Sequence, residues 1–209
     1  MTPNQEITLY HSPNTRSTGV LIILEELGAK YQLHVLNMKE GEQRKADYLT
    51  INPMGKVPAI KHGDAVITEQ VAVFLYLADL YSEAGLAPKI GDPLRGPYLR
   101  WMVFYGSCFE PAIIDRSQNR EPAPQMMSPY GDFDTMFNTL TDQLAKGQYM
   151  LGDKFTAVDV LWGTALTWVT QFQLVPTLPV IQAYIDRVNA RPSVAWVRDK
   201  DAELAAAQR

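Results

Sequence analysis

The apolar positions of the first eighty residues recur at two different periods, short alternating or continuous runs and longer helical ones. Ile7 to Tyr10 is a compact apolar run closed by the turn formers His11-Ser12-Pro13-Asn14, which predicts a buried strand. Gly19 to Gly28 is apolar around most of a helical circumference, as a helix buried against a sheet would be. Ser17 or Thr15 suits its N-cap and Gly28 its stop. Tyr31 to Leu36 alternates like a second strand, and strand-helix-strand over about 30 residues predicts a parallel βαβ unit. Asn37 to Thr50 is charged and polar, read as a loop with a short exposed helix. Pro58 to Lys61 and Ala65 to Thr68 flank a tight turn at His62-Gly63-Asp64 and should pair antiparallel. From Glu69 the pattern is helical, with apolar residues at 71, 73, 74, 75, 77 and 78.

Beyond residue 82 the strand pattern ends. Ser82 to Asp92 carries two glycines and a proline without a period, as a linker does. Pro93 to about Arg116 reads as one long aromatic-rich helix, Glu121 to Pro129 as a loop with three prolines, and Tyr130 to Gly147 as an amphipathic helix. Thr156 and Asp159 stand where the cap and third residue of another helix would form a capping box. Pro179 to Ala190 and Pro192 to about Asp199 predict two more helices, and the alanine-rich tail from Asp201 should fray. The fold class is therefore a small α/β domain (βαβ then ββα, residues 1–82), a linker (83–92) and an all-α domain (93–209).

Composition narrows the function. The 209 residues are 46% hydrophobic and 20% charged, ordinary for a globular protein. The net charge of −4 argues against nucleic acid as partner. No apolar run reaches the roughly 20 residues of a membrane span, and the polar N-terminus is unlike a signal peptide. Cys108 is the single cysteine, so there is neither an intrachain disulfide nor a Cys-x-x-Cys pair, and a cytoplasmic location is expected. His11, His34 and His62 lack metal-ligand spacing, so no metal is expected.

Three segments carry a resemblance: Asn52-Pro-x-Gly-Lys-Val-Pro58, Thr68-Glu69-Gln70 ahead of Val-Ala-Val-Phe-Leu-Tyr-Leu, and Phe155-Thr-x-x-Asp159. Together they resemble the glutathione S-transferase family in its bacterial theta-, beta- or nu-like range, over about Ile7 to Arg198. The resemblance implies a thioredoxin-like N-terminal domain, an all-helical C-terminal domain, a homodimer, and glutathione as co-substrate at the domain border. Glu69 would take the γ-glutamyl ammonium, and Gln70, where relatives usually carry Ser, its carboxylate, at a helix N-terminus that favours anions. Val57-Pro58 resembles the family's cis-proline step, with the Val57 peptide pairing to the cysteinyl part of the ligand. Lys56 and Gln43 would meet the glycyl carboxylate, although solvated surface describes Gln43 nearly as well.

The chemistry depends on the thiol. Its ordinary pKa is about 8.5, and lowering it by about two units needs roughly 2.7 kcal/mol of preference for the anion. Asn14-Thr15-Arg16-Ser17 offers hydroxyl, amide and cation together after the first strand. Ser17 is the first candidate for donor to the thiolate, Asn14 the second, with Arg16 as electrostatic helper. A plain helix N-cap is the rival role for Ser17. The loop has no cysteine, unlike omega and cysteine-bearing beta types, and Tyr10 reads as core. Tyr105, Cys108, Phe109, Arg116, Trp168 and Phe172 are candidates for an apolar wall for a small hydrophobic electrophile. Conjugation of glutathione to such a compound is the leading expectation. A glutathione-dependent disulfide or peroxide reductase is the alternative, and a non-enzymatic interaction module a more distant third.

Overall fold

The computed structural model describes residues 6–208. Contacts divide the chain into two compact units, residues up to Ala84 together with Arg191 onward, and Gly85–Ala190. Residues 191–209, expected within the helical domain, thus cluster with the first unit.

The first unit is built on a four-stranded mixed sheet in the order β2-β1-β3-β4. Strand β1 (Ile7–His11) pairs parallel with β2 (Tyr31–Val35) and antiparallel with β3 (Ala59–His62), which pairs antiparallel with β4 (Ala65–Ile67). Between β1 and β2 runs α1 (Ser17–Glu26), buried from Val20 to Leu24 as its all-round apolar pattern requires. Its end is a Schellman motif. Gly28 sits at φ 59, its N–H reaches the Glu25 carbonyl, and the Ala29 N–H reaches that of Leu24. A single α-helical turn, α2 (Ala46–Leu49), and two 3-10 turns fill the segment before β3. After β4 comes α3 (Gln70–Leu80), which buries Val73, Phe74, Leu77 and Ala78. This is the thioredoxin-like arrangement that the sequence predicts.

The second unit is all-helical. The long helix expected over 93–116 is α4 (Arg95–Phe104), a π-helical turn over Tyr105–Phe109, and α5 (Glu110–Ser117). Pro111 lacks an N–H and crowds the carbonyl four residues back, which accounts for the widened turn just before it. Helix α6 (Phe133–Leu144) is capped by Asp132, whose carboxylate accepts from the Thr135 N–H at 2.7 Å. Helices α7 (Ala157–Gln171) and α8 (Pro179–Asn189) complete the unit, with Trp162 at the centre of an aromatic cluster of Trp101, Tyr105 and Phe109. Thr156 and Asp159 form the expected capping box.

The tail departs from expectation. Helix α9 (Pro192–Ala207) continues eight residues beyond Asp199 and does not fray at Asp201. It packs along α1. At its start Arg191 grips Glu26 with two bonds of 2.6 Å, and near its end the Gln208 amide donates to the Leu36 carbonyl at 3.3 Å. Among the described residues no helix is long and apolar enough to cross a membrane, and no cluster of three or more His, Cys, Asp or Glu is arranged to hold a metal.

Candidate glutathione site

The strand register brings several loops to one end of the sheet. Tyr10, next to the last residue of β1, stands opposite Ala59, the first of β3. The chain leaving β1 at His11 is therefore beside the chain entering β3 at Val57-Pro58. Ile67, the last residue of β4, lies opposite Ile60, so the entry to α3 is at the same end. This is the carboxyl end of the parallel pair, where ligands of open α/β sheets bind.

The Val57–Pro58 bond is cis, as the resemblance implied. The loop ahead of it is organised by its own side chains. Asn52, almost fully buried, donates from Nδ2 to the Lys56 carbonyl at 2.9 Å and accepts from the Met54 N–H at 3.0 Å. Tyr48 donates to the same Lys56 carbonyl at 2.6 Å. Burial, with a smaller push from Tyr10, raises the Tyr48 phenol to about 12, so it stays a donor at neutral pH. The sequence named the Asn-Pro motif but gave Asn52 and Tyr48 no role. The Lys56 side chain itself is exposed. Gln43, half-buried, carries a buried Oε1 with no hydrogen-bond partner among the described residues.

Glu69 sits at the N-cap of α3 with φ 61 and ψ 114, which is rare for a residue bearing a Cβ. No side chain caps this helix, so neither Thr68 as cap nor Glu69 in the first turn describes the junction. Gln70 donates from Nε2 to the Arg16 carbonyl at 3.1 Å. The start of α3 is thereby tied to the start of α1, and Glu69, Gln70, Arg16 and Asn14 occupy one neighbourhood.

The β1–α1 loop divides its polar groups between two faces. Asn14 and Arg16 are exposed, and Asn14 adopts a left-handed φ of 58. Ser17 faces inward and is 0% exposed. Its Oγ accepts from the Ser12 N–H at 3.1 Å, lies 2.7 Å from Thr15 Oγ1 and 2.8 Å from His11 Nδ1, and has the Ser12 carbonyl at 3.1 Å. That hydroxyl already has its full set of partners and no path to a ligand. Nor is it an N-cap, because Arg16 occupies that position without a side-chain cap bond, and the Thr15 hydroxyl instead accepts from the Ser17 N–H at 3.2 Å. Tyr10 packs against His34 and Tyr48, a core role as expected.

Comparison with known proteins decides the family. Residues 5–79 match the model of the glutathione S-transferase N-terminal domain, and residues 77–192 that of the C-terminal domain. The chain belongs to the glutathione S-transferase family. It is 27% identical to glutathione S-transferase PARB of Nicotiana tabacum, over 92% of this chain and 96% of that protein. A glutathione transferase homologue from Sulfitobacter, solved with bound glutathione, is 30% identical with a TM-score of 0.76, over 93% of this chain and 98% of that one. A disulfide-bond oxidoreductase of Escherichia coli is 24% identical, over 90% of this chain and 92% of that protein.

Within this transferase-family chain, the residues suggested for the second-substrate wall differ in exposure and in what they touch. Tyr105 and Phe109 are buried in the aromatic cluster around Trp162, and Tyr105 donates to Glu110 at 2.8 Å. Trp168 and Phe172, 46% and 57% exposed, have ring centroids 4.7 Å apart and form an apolar surface patch at the C-terminal end of α7. The Arg116 guanidinium lies 4.2 Å over the Phe133 ring, and Cys108 is half-buried with its sulfur 3.4 Å from the Pro129 carbonyl.

Proposed function

We propose that the protein conjugates the thiolate of glutathione to small electrophilic apolar compounds. The observation that carries this reading is the junction at Glu69: a residue bearing a Cβ held at φ 61 on a helix start without a side-chain cap, tied through Gln70 to the loop of Asn14 and Arg16. Backbone strain of this kind persists where surrounding structure enforces it, and it clusters at ligand clamps. The γ-glutamyl carboxylate is assigned to the N–H groups that open α3, its ammonium to Glu69, and the cysteinyl peptide to Val57 beside Pro58. Lys56 takes the glycyl carboxylate. Gln43 presents an acceptor, which suits a ligand N–H, and turning its amide over would present the donor that a carboxylate needs.

The thiolate is assigned to Asn14 in preference to Ser17. An exposed amide donor on a left-handed residue, with the Arg16 charge two residues on, favours the anion by hydrogen bond and Coulomb attraction. The buried Ser17 hydroxyl supports the loop from beneath. Once the thiolate is formed, the enzyme's remaining contribution is proximity to the electrophile. The active form is assigned as a cytoplasmic homodimer, which sedimentation at micromolar concentration tests directly.

A second reading, glutathione-dependent disulfide or peroxide reduction, is favoured by two features: the loop offers an amide and no cysteine, and a relative named as a disulfide-bond oxidoreductase matches 90% of the chain. Calorimetric titration of glutathione and glutathione disulfide, with thiolate absorbance followed against pH, separates the readings. Binding of reduced glutathione with its thiol pKa lowered by about two units supports conjugation, provided Asn14→Ala raises that pKa and Ser17→Ala leaves it nearer wild type. Preference for the disulfide favours reduction. Failure to bind either form rejects both.

A further inference from the structure

Asp201 lies on α9, 190 residues along the chain from His11, and is only 3% exposed. Its Oδ1 is 2.9 Å from His11 Nε2. Its Oδ2 accepts from the Asn14 backbone N–H at 3.0 Å and from the Thr18 hydroxyl at 2.5 Å. The other ring nitrogen of His11 holds Ser17 Oγ at 2.8 Å. One carboxylate thus grips the loop at its entry, its apex and its exit into α1. The apex is Asn14, at φ 58 in the left-handed region that asparagine enters more readily than other residues with a Cβ, so its N–H bond to Asp201 selects this form from others open to it. A carboxylate accepting a backbone N–H makes one of the stronger ties available to a peptide group. The order Ser17–His11–Asp201 matches that of a charge relay, but all three are buried and no substrate reaches the serine.

We propose that Asp201 is a positioning residue for glutathione activation: from the C-terminal helix it locks the β1–α1 loop in the left-handed form that presents the Asn14 amide to the sulfur. Asp201 falls outside the residues matched by either domain model, which end at 192. The proposal rests on the reading of Asn14 as the sulfur's partner. It makes α9 part of the activating device, whereas a merely structural Asp201 would only hold the helix in place. A natural control exists, because α9 has an independent anchor in the Arg191–Glu26 pair at its other end.

The test compares wild type with Asp201→Ala, Asp201→Asn and Arg191→Ala in the full chain, using glutathione and an aryl halide as probes. Three quantities are read: amide exchange at Asn14, the absorbance-detected pKa of the bound thiol, and kcat separately from KM for glutathione. In Asp201→Ala the Asn14 amide should exchange at least about tenfold faster and the thiol pKa should rise. The kcat should fall on the order of tenfold to a hundredfold, with KM moved less than about threefold, since the carboxylate contacts lie elsewhere. Asp201→Asn, which keeps one acceptor oxygen, should fall between. Arg191→Ala should loosen α9 yet leave thiol pKa and kcat near wild type. Losses in Asp201→Ala that only track its melting temperature, matched by Arg191→Ala, would overturn the proposal. If wild type does not lower the thiol pKa at all, the functional reading fails; unchanged Asn14 exchange in Asp201→Ala would then reject the positioning claim separately. Should Asp201→Ala not fold, Asp201→Asn and Thr18→Val carry the same comparison.

Discussion

Gly55 passes so close under Gln43 that an ideal Cβ on it would fall 2.7 Å from the Gln43 carbonyl oxygen and 3.0 Å from the Arg44 guanidinium. The first contact is with backbone, which cannot swing aside, and Gly55 also stands at φ 58. The glycine of the Asn-Pro-x-Gly-Lys motif is therefore what lets the segment carrying Gln43 lie against the loop carrying Lys56. Gly55→Ala should cost roughly 2–4 kcal/mol, the sum of a left-handed penalty and local overpacking. It should also raise KM for glutathione more than it lowers kcat, because both candidate contacts to the glycyl end would move. Denaturant midpoints and steady-state kinetics measure the two effects. An alanine variant with wild-type stability would show that the two loops are not pressed together.

Glu69 combines strain with an assigned charge, and two substitutions separate them. Glu69→Gln keeps the backbone and removes the partner of the ligand's ammonium. Losing a hydrogen bond between charged groups should raise KM by roughly tenfold to a hundredfold, with little change in melting temperature. Glu69→Gly releases the backbone, since φ 61 with ψ 114 lies outside the wells open to residues with a Cβ. After the entropic penalty of glycine it should still stabilise by about 1 kcal/mol, while binding glutathione no better than the glutamine variant. A glycine variant less stable than wild type would remove strain from the argument.

Most of the first unit could be read from the sequence because its signals are local. Gly28 directly after an apolar helical run marks a helix stop, Gly63 turns a hairpin, and Thr156 with Asp159 caps a helix within four residues. The candidate set of Pro58, Glu69 and Gln43 came from the family resemblance and not from any local signal. What could not be read was direction. A serine and an asparagine in one turn look alike as donors until the structure shows Ser17 folded inward onto His11 and Asn14 left outside. Asp201 was hidden for the same reason. In an alanine-rich tail a single acid reads as solvated, and its burial depends on three groups more than 180 residues earlier in the chain. The widened turn at Tyr105–Phe109 had a local signal in Pro111, which a long aromatic run concealed.

The two carboxylates that hold α9 give its attachment a definite pH dependence. Burial pushes the Glu26 carboxyl up, but hydrogen bonds from Arg191 and Ser193 and the Arg191 charge outweigh it, and its pKa is lowered. Asp201 follows the same balance, with burial opposed by hydrogen bonds from His11, Thr18 and Asn14, and ends lowered. A carboxyl whose folded pKa is depressed contributes stability above its unfolded pKa, about 4, and loses it as pH falls through the folded value. The contribution of these two carboxylates to the attachment of α9 should therefore be constant from pH 5 to 8 and weaken below about pH 4. Hydrogen exchange along α9 against pH checks this, with exchange in β1 as reference. Loosening centred near pH 6 would instead point to an imidazole.

Asp159 has the opposite sign. It is 0% exposed and accepts from the Met150 N–H at 2.7 Å, the Thr156 N–H at 2.9 Å, the Thr156 hydroxyl at 3.2 Å and the Tyr184 hydroxyl at 2.8 Å. Burial is the largest influence on it, and even these four donors leave its pKa raised. Its ionised form is thus less favoured folded than unfolded, so its contribution weakens as pH rises through the unfolded value, against the trend of Glu26 and Asp201. Removing the carboxylate is a different matter from protonating it, because Asp159→Ala orphans four buried donors at about 1–3 kcal/mol each, less than additively. A loss of about 4 kcal/mol is expected, or roughly 8–16 °C in melting temperature for a chain of this size. Asp159→Asn, which keeps one acceptor, should lose about half as much and should flatten the pH dependence that Asp159 contributes. In both variants kcat per folded molecule should stay near wild type, since Asp159 belongs to the second unit's core and not to the loops that carry the thiol chemistry. A variant that kept its stability and lost kcat would move Asp159 from the scaffold to the reaction.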